Sequence, residues 1–278
     1  MTQHLHDIHP LEQLQPTRTQ KLLKAVTSYY AFTLLIAAAF AYLFGWLADE
    51  VMEQEWFIPN SSILLRIHFY RSPVLDRLAF DITWLGSSGG IITLSVLVVA
   101  GLWMLRRYVD LGTYAAVMIG ASVMVLTLKV LFHQARPQVF PPLVHESNYS
   151  FPSGHSLTSF AVWGFMAWWV VSIEPREAWR WVLGLLSLCV AALVALSRLY
   201  LGVHWPTDVL AGMFLAFGWV ALCITGHRWL TRRARRERRE QLHEAWLARR
   251  TSRSSPRSQT LHKESQPRPP VTLSGRQP

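Results

Sequence analysis

Charge is what this 278-residue chain has least of. Asp, Glu, Lys and Arg together make up 16%, against about 25% in an ordinary soluble domain. Cysteine is nearly absent, with two residues, Cys189 and Cys223. Both fall inside apolar runs, so they read as small buried residues and exclude a disulfide-built secreted scaffold or a cysteine metal site. The first twenty residues lack the apolar core of a cleavable leader. The run that begins at Ala25 is too long for one and reads as a retained anchor. Acidic residues are scarce too, 17 against 27 basic. What is abundant is apolar: 51% hydrophobic, 12% aromatic and a mean hydropathy of +0.21. A disordered chain and a collagen-like repeat are excluded.

Six uncharged segments stand out: Ala25–Ala48, Ile82–Leu105, Leu111–Leu128, Ser156–Ile173, Trp181–Ser197 and Val209–Gly226. A membrane-crossing helix takes about 20 residues, so the pattern predicts an all-α, six-transmembrane-helix bundle. Gly and Ala inside the segments read as close helix packing. Basic residues gather before the first segment (Arg18, Lys21, Lys24), between the second and third (Arg106, Arg107), between the fourth and fifth (Arg176, Arg180), and after the sixth. With six spans all four clusters share one side. The positive-inside tendency then puts both termini in the cytoplasm and the segments 49–81, 129–155 and 198–208 outside.

The organisation that follows is a polar cytoplasmic N-terminus (1–24), a membrane domain (25–226) and a basic, largely disordered cytoplasmic tail (227–278). Gly226 to Pro278 holds 14 basic and 4 acidic residues, which is the whole +10 excess of the chain. Its place after an apolar segment favours anionic lipid headgroups over nucleic acid. Arg228–Arg250 reads as a possible helical continuation. In the first outer segment, Ile63, Leu64, Ile67, Val74, Leu75 and Leu78 fit two short amphipathic helices broken at Ser72-Pro73. The Gly-Ser-Ser-Gly-Gly run at 86–90 has no Lys and no preceding strand, so it reads as a tight turn or a close helix contact rather than a phosphate loop.

The chemistry lies where the membrane reading least expects polar groups. Lys129 closes the third segment and Arg136-Pro137 follows. Pro152-Ser153-Gly154-His155 opens the fourth. Ser197-Arg198 closes the fifth, and His204 and Asp208 lead into the sixth. Ionisable groups at membrane depth are costly and usually functional. Three fixed cations call for an anion, and a guanidinium fork fits two phosphate oxygens. Pro152 suits a first helical turn with Ser150 as cap, which would leave the N–H groups of Ser153, Gly154 and His155 facing an anion. His204 and Asp208 are four apart and share a face if the helix covers both. A carboxylate on one imidazole nitrogen frees the other for attack, while a second imidazole handles the leaving group. The residues alone leave open which histidine is the nucleophile. Two-metal chemistry wants a cage of carboxylates, whereas these motifs hold only Asp208, with Glu146 the nearest loop carboxylate. A metal-free route through a phosphohistidine fits better.

Other residues take plainer readings. His133, one turn from Lys129, reads as loop-facing. His145 and Glu146 belong to a loop that at most shapes headgroup access. Trp168-Trp169 and Trp205 read as packing or interface anchors. His4, His6 and His9 form no ligand spacing.

The three-part pattern, Lys129-x6-Arg136-Pro137, Pro152-Ser153-Gly154-His155 and Ser197-Arg198-x5-His204-x3-Asp208, resembles the signature of the type 2 phosphatidic acid phosphatase family. That family includes bacterial undecaprenyl-pyrophosphate phosphatases and the soluble vanadium haloperoxidases. The resemblance covers about Tyr70 to Gly226, and all eleven specified residues are present. It implies a six-helix bundle of the phosphatase/haloperoxidase kind with its active site at the outer face of a bacterial inner (plasma) membrane. It implies that His204 attacks phosphorus, Asp208 orients it, and His155 serves as general acid. Lys129, Arg136, Ser153, Gly154 and Arg198 would bind the phosphoryl oxygens, with no metal and no cofactor. The expected activity is hydrolysis of a phosphatidate-type glycerolipid phosphate, or alternatively of undecaprenyl pyrophosphate. A haloperoxidase is disfavoured by the six spans, and a pure anion-binding or transport role by the complete nucleophile–acid set.

Overall fold

The computed structural model describes residues 18–53 and 57–254. The polar N-terminal residues 1–17, with His4, His6 and His9, and the tail from 255 lie outside the described residues. So does the expectation of disorder for the tail beyond them.

Eight helices and no strands make up the described residues: α1 (Arg18–Met52), α2 (Phe57–Phe69), α3 (Pro73–Trp84), α4 (Ser88–Met104), α5 (Tyr108–Phe132), α6 (Gly154–Ile173), α7 (Glu177–Tyr200) and α8 (Pro206–Ser254). Five are long and apolar enough to cross a bilayer, and the bent pair α3–α4 brings the number to six. The chain forms two compact units that divide after His227. In the second unit α8 stays helical through Ser254, which includes the helical continuation read for Arg228–Arg250. Arg233 and Glu237 pair one turn apart at 2.9 Å there.

The short helices form where the sequence breaks. Ser72 caps α3, its hydroxyl accepting from the Leu75 N–H at 3.3 Å, and Pro73 opens the first turn. The Tyr200 hydroxyl donates to Asp76 at 2.6 Å and ties α3 to α7. The second uncharged segment is not one straight helix from Ile82. It bends by 48° between α3 and α4, and Ser87 caps the new start by accepting from the Gly90 N–H at 3.1 Å. The glycine run at 86–90 serves as both a tight turn and a close contact. A Cβ on Gly90 would lie 2.1 Å from the Trp84 carbonyl oxygen, and one on Gly86 would lie 2.3 Å from Val194 Cγ1.

The interior is built from α5, α6, α7 and α8, with Tyr114, Val117, Leu157, Ala161, Ala195 and Ala216 fully or almost fully buried. Small residues bring the helices close. Trp219 occupies the space a side chain at Gly120 would need, 2.3 Å from a Cβ there. The outside is also apolar: Val96, Leu97, Val123, Leu126, Leu185 and Leu193 are exposed, a surface suited to hydrocarbon. Cys189 is exposed and Cys223 only half-buried, both as free thiols. The expectation that both are buried therefore fails, because an apolar run in a bundle has a lipid-facing side as well as an inner one.

Candidate active site

Four helix ends meet at one end of the bundle. Lys129 is in the last turn of α5, Ser153 caps α6, Arg198 is in the last turn of α7, and Asp208 is in the first turn of α8. The other end of α5 carries Asp110, paired with Arg107 at 2.6 Å and with the Trp169 indole N–H at 3.1 Å. Nineteen residues of helix separate Asp110 from Lys129, about 28 Å, close to the thickness of a bilayer core. The cationic cluster thus belongs to one membrane face.

His204 and Asp208 are fixed by the start of α8. Asp208 Oδ2 reaches back to the Trp205 N–H at 2.8 Å. This is the return bond of a helix capping box, from the third helical residue to the one before the helix. The same oxygen lies 3.1 Å from His204 Nδ1 and accepts the Ser150 hydroxyl. With Nδ1 facing a carboxylate, the proton sits on Nδ1 and Nε2 is the unprotonated, accepting nitrogen. Nε2 lies 3.4 Å from Arg136 Nη1. Burial holds His204 well below the ordinary imidazole value, and the charges of Arg136, Arg198 and Lys129 push the same way. His204 is a neutral, buried imidazole beside three cations.

The cations are already engaged. Lys129 donates to the Tyr149 carbonyl and to Asn148 Oδ1, the latter at 3.4 Å. Arg136 donates to the Asn148 carbonyl at 2.8 Å, to Asn148 Oδ1 at 2.5 Å and to the Val203 carbonyl at 2.6 Å. Arg198, 2% exposed, donates to Thr83 Oγ1 at 2.9 Å and to Glu146. Its Nε is buried without a partner. Glu146 also faces Arg136 at 3.8 Å. Burial alone would raise the Glu146 carboxyl, but Arg198 and Arg136 outweigh it and hold it below its usual value.

The start of α6 differs from the expectation in three ways. Ser153, not Ser150, is the cap, its Oγ 3.4 Å from the Ser156 N–H and 3.0 Å from the Ser156 hydroxyl. Pro152 precedes the cap rather than opening the helix. The Ser153 N–H is not free, since it donates to the Asp208 carbonyl at 3.1 Å. Ser153 keeps its own hydroxyl proton to donate. A Cβ on Gly154 would lie 3.2 Å from Val125 Cγ1 and 3.9 Å from Lys129 Cε, so the backbone there runs close to α5. The His155 ring packs against Gly86, where a Cβ would come 3.2 Å from its Cδ2.

Sequence reasoning missed Asn148 and Thr83, misread Ser150 as the cap and placed Glu146 only in an access loop, while Gly86 falls in the run it read as a turn or close contact. None of them has periodic spacing to the motifs. Only the density of Asn, Ser and Glu at 146–150 hinted at more than a passive loop. His133 ends α5 in a left-handed conformation, φ 48°, with its ring edge-on to Tyr149. A cavity of about 840 Å³, lined by Asn60, Phe132, His133, Arg136 and Trp205, and a second of about 560 Å³, lined by Phe140, His145 and Glu146, both reach Arg136. Among the described residues no group of three or more His, Cys, Asp or Glu is placed to hold a metal ion.

A buried histidine held by a carboxylate thus lies within a ring of cations at the end of a helical bundle with an apolar surface. Residues 110–232 match the PAP2 superfamily. The chain is 34% identical over 190 residues to phosphatidylglycerophosphatase B of Bacillus subtilis, spanning 68% of this chain and 87% of that protein. Over 75 residues it is 40% identical to an undecaprenyl-diphosphatase of Sulfolobus acidocaldarius, 27% of this chain and 32% of that one. The crystal structure of a transmembrane PAP2-type phosphatidylglycerolphosphate phosphatase from Bacillus subtilis matches with a TM-score of 0.63 at 31% identity, over 67% of this chain and 93% of that one. The chain belongs to the PAP2 superfamily and is a multi-span membrane protein.

Proposed function

We propose that this protein hydrolyses the terminal phosphate of a membrane lipid through a phosphohistidine on His204. The observation that carries the reading is the His204 Nδ1 to Asp208 Oδ2 contact of 3.1 Å, which leaves Nε2 unprotonated and facing the Arg136 Nη1 donor at 3.4 Å. Nε2 attacks phosphorus and the P–O bond to the lipid breaks. The leaving oxygen takes a proton from His155. Water then attacks the phosphohistidine, gives a proton back to His155, and frees inorganic phosphate and His204. Lys129, Arg136, Arg198, the Ser153 hydroxyl and the Gly154 N–H hold the phosphoryl oxygens, where charge grows in the transition state.

A glycerolipid phosphate is the preferred substrate. The relative that aligns over most of both chains is a phosphatidylglycerophosphatase, and the 840 Å³ cavity beside Arg136 has room for a headgroup. Undecaprenyl pyrophosphate is the second reading, favoured by the short stretch of 40% identity to an undecaprenyl-diphosphatase. The distribution of basic residues supports six spans with both termini cytoplasmic and the site outside. The basic tail, from 227 on, contacts anionic headgroups.

The experiment is phosphate release by detergent-purified protein with EDTA present, offered phosphatidate, phosphatidylglycerophosphate and undecaprenyl pyrophosphate side by side. Turnover lost in His204→Ala supports the reading, and the preferred lipid assigns the substrate. An intact, folded preparation that turns over none of the three overturns it.

A further inference from the structure

Glu146 stands where the reading above places the substrate's phosphoryl group. Its carboxylate bonds Arg198 and faces Arg136 at 3.8 Å, one oxygen toward each guanidinium. That is how a planar two-oxygen anion meets a pair of forks. Its backbone is pinned on both sides. The Leu143 N–H donates to the Leu201 carbonyl at 3.0 Å, and Asn148 takes Arg136 and Lys129. Only the few residues from Val144 to Ser147 need to shift for the carboxylate to withdraw.

Resting on the phosphatase reading, we propose that Glu146 is a specificity-determining residue that filters ligands by charge. It occupies the guanidinium pair until a terminal phosphate displaces it, and it turns away the phosphodiester headgroups of the surrounding bilayer.

The physical reason lies in the exchange. Arg198 is almost fully buried, and a buried guanidinium without an anion is costly, so Glu146 serves the ligand-free site. A phosphodiester offers one negative charge and two free oxygens, no more than the carboxylate it would replace. A phosphomonoester or terminal pyrophosphate offers about two charges and three oxygens. Arg198 Nε is buried with no partner, one more donor on the same guanidinium than the carboxylate satisfies. Without Glu146 the three cations Lys129, Arg136 and Arg198 would bind any phosphate headgroup, and diesters far outnumber monoesters in a membrane.

The test uses the full chain in detergent and two soluble probes of similar size: methyl phosphate, dianionic at pH 8, and dimethyl phosphate, monoanionic. Each is titrated as a competitor of phosphatidate hydrolysis, and its direct binding is measured by calorimetry. In the wild type, methyl phosphate is expected to bind at least about tenfold more tightly than dimethyl phosphate. In Glu146→Gln, of nearly the same shape, the displacement cost common to both probes is gone, so both gain on the order of tenfold and dimethyl phosphate reaches the affinity that methyl phosphate has in the wild type. A wild type that binds both probes alike overturns the filter without any variant. A folded Glu146→Gln protein that binds dimethyl phosphate no more tightly than the wild type overturns it as well, and leaves Glu146 a brace for the loop. Because calorimetry needs no turnover, a protein that discriminates the probes but hydrolyses no lipid defeats the phosphatase reading and not the filter.

Discussion

Ser150 donates its hydroxyl to Asp208 Oδ2, the same oxygen that faces His204 Nδ1 at 3.1 Å. One carboxylate oxygen therefore takes up a loop serine, the Trp205 N–H and the imidazole, while its Oδ1 is buried without a partner. The loop before α6 and the start of α8 are tied together at Asp208, through Oδ2 and through the Asp208 carbonyl that accepts the Ser153 N–H. All three bonds converge on the carboxylate oxygen that faces His204.

Ser150→Ala removes one of them. Losing a hydrogen bond to a buried charged group costs about 1–3 kcal/mol. Where the orientation matters only in the chemical step, kcat is expected to fall roughly tenfold or more with little change in KM. Steady-state kinetics on the preferred lipid checks this, and an unchanged kcat would show that Trp205 and Asp208 suffice to hold the ring.

His155 is expected to show its role through the leaving group. His155→Ala should slow release of an alkoxide by about 10²–10⁴-fold. An aryl phosphate, whose leaving oxygen hardly needs a proton, should lose much less. Parallel rates with an alkyl and an aryl phosphate decide it, and equal losses would assign His155 to binding instead.

Acid should destabilise the protein through His204. Its native value is lowered by burial first and then by Arg136, Arg198 and Lys129, so below about pH 6.5 the unfolded chain binds a proton that the native state does not. Stability then falls as pH falls, by up to about 1.4 kcal/mol per pH unit from this group. Glu146 carries the opposite charge chemistry. Its lowered value contributes stability that is present above its unfolded value of 4.5 and lost only below it. Melting temperatures between about pH 5 and 7.5 separate the two. The wild type should show the steeper slope, and His204→Gln a shallower one. Identical slopes would mean that other groups govern acid stability.

Gly86→Ala tests the bend. The new Cβ would fall 2.3 Å from Val194 Cγ1, 2.9 Å from Ser159 Oγ and 3.2 Å from His155 Cδ2. Overpacking of this kind costs about 1–3 kcal/mol and should displace His155, lowering both melting temperature and kcat. Gly112→Ala is the control, with nothing within 4 Å of its Cβ. There a helix-interior alanine should be neutral or stabilising by up to about 1 kcal/mol. Equal behaviour of the two variants would remove Gly86 from the account.

The sequence by itself determined the class of protein. Long uncharged runs such as Leu111–Leu128 have one stable environment, because a backbone in hydrocarbon must satisfy its own hydrogen bonds as helix. Lys129, Arg136, Arg198, His204 and Asp208 were legible from their types and spacing, since charge at membrane depth is rare enough to stand out. The tertiary structure decided what those residues do to one another. Ser150, Asn148 and Thr83 lie 58, 12 and 115 positions from the groups they bond, separations with no period that a helix would print on the chain. Which serine caps α6, where the second span bends, and which carboxylate sits between Arg198 and Arg136 all depend on how helix ends meet in space. Helix formation is local, whereas a convergence of helix ends is set by close packing between segments far apart in the chain.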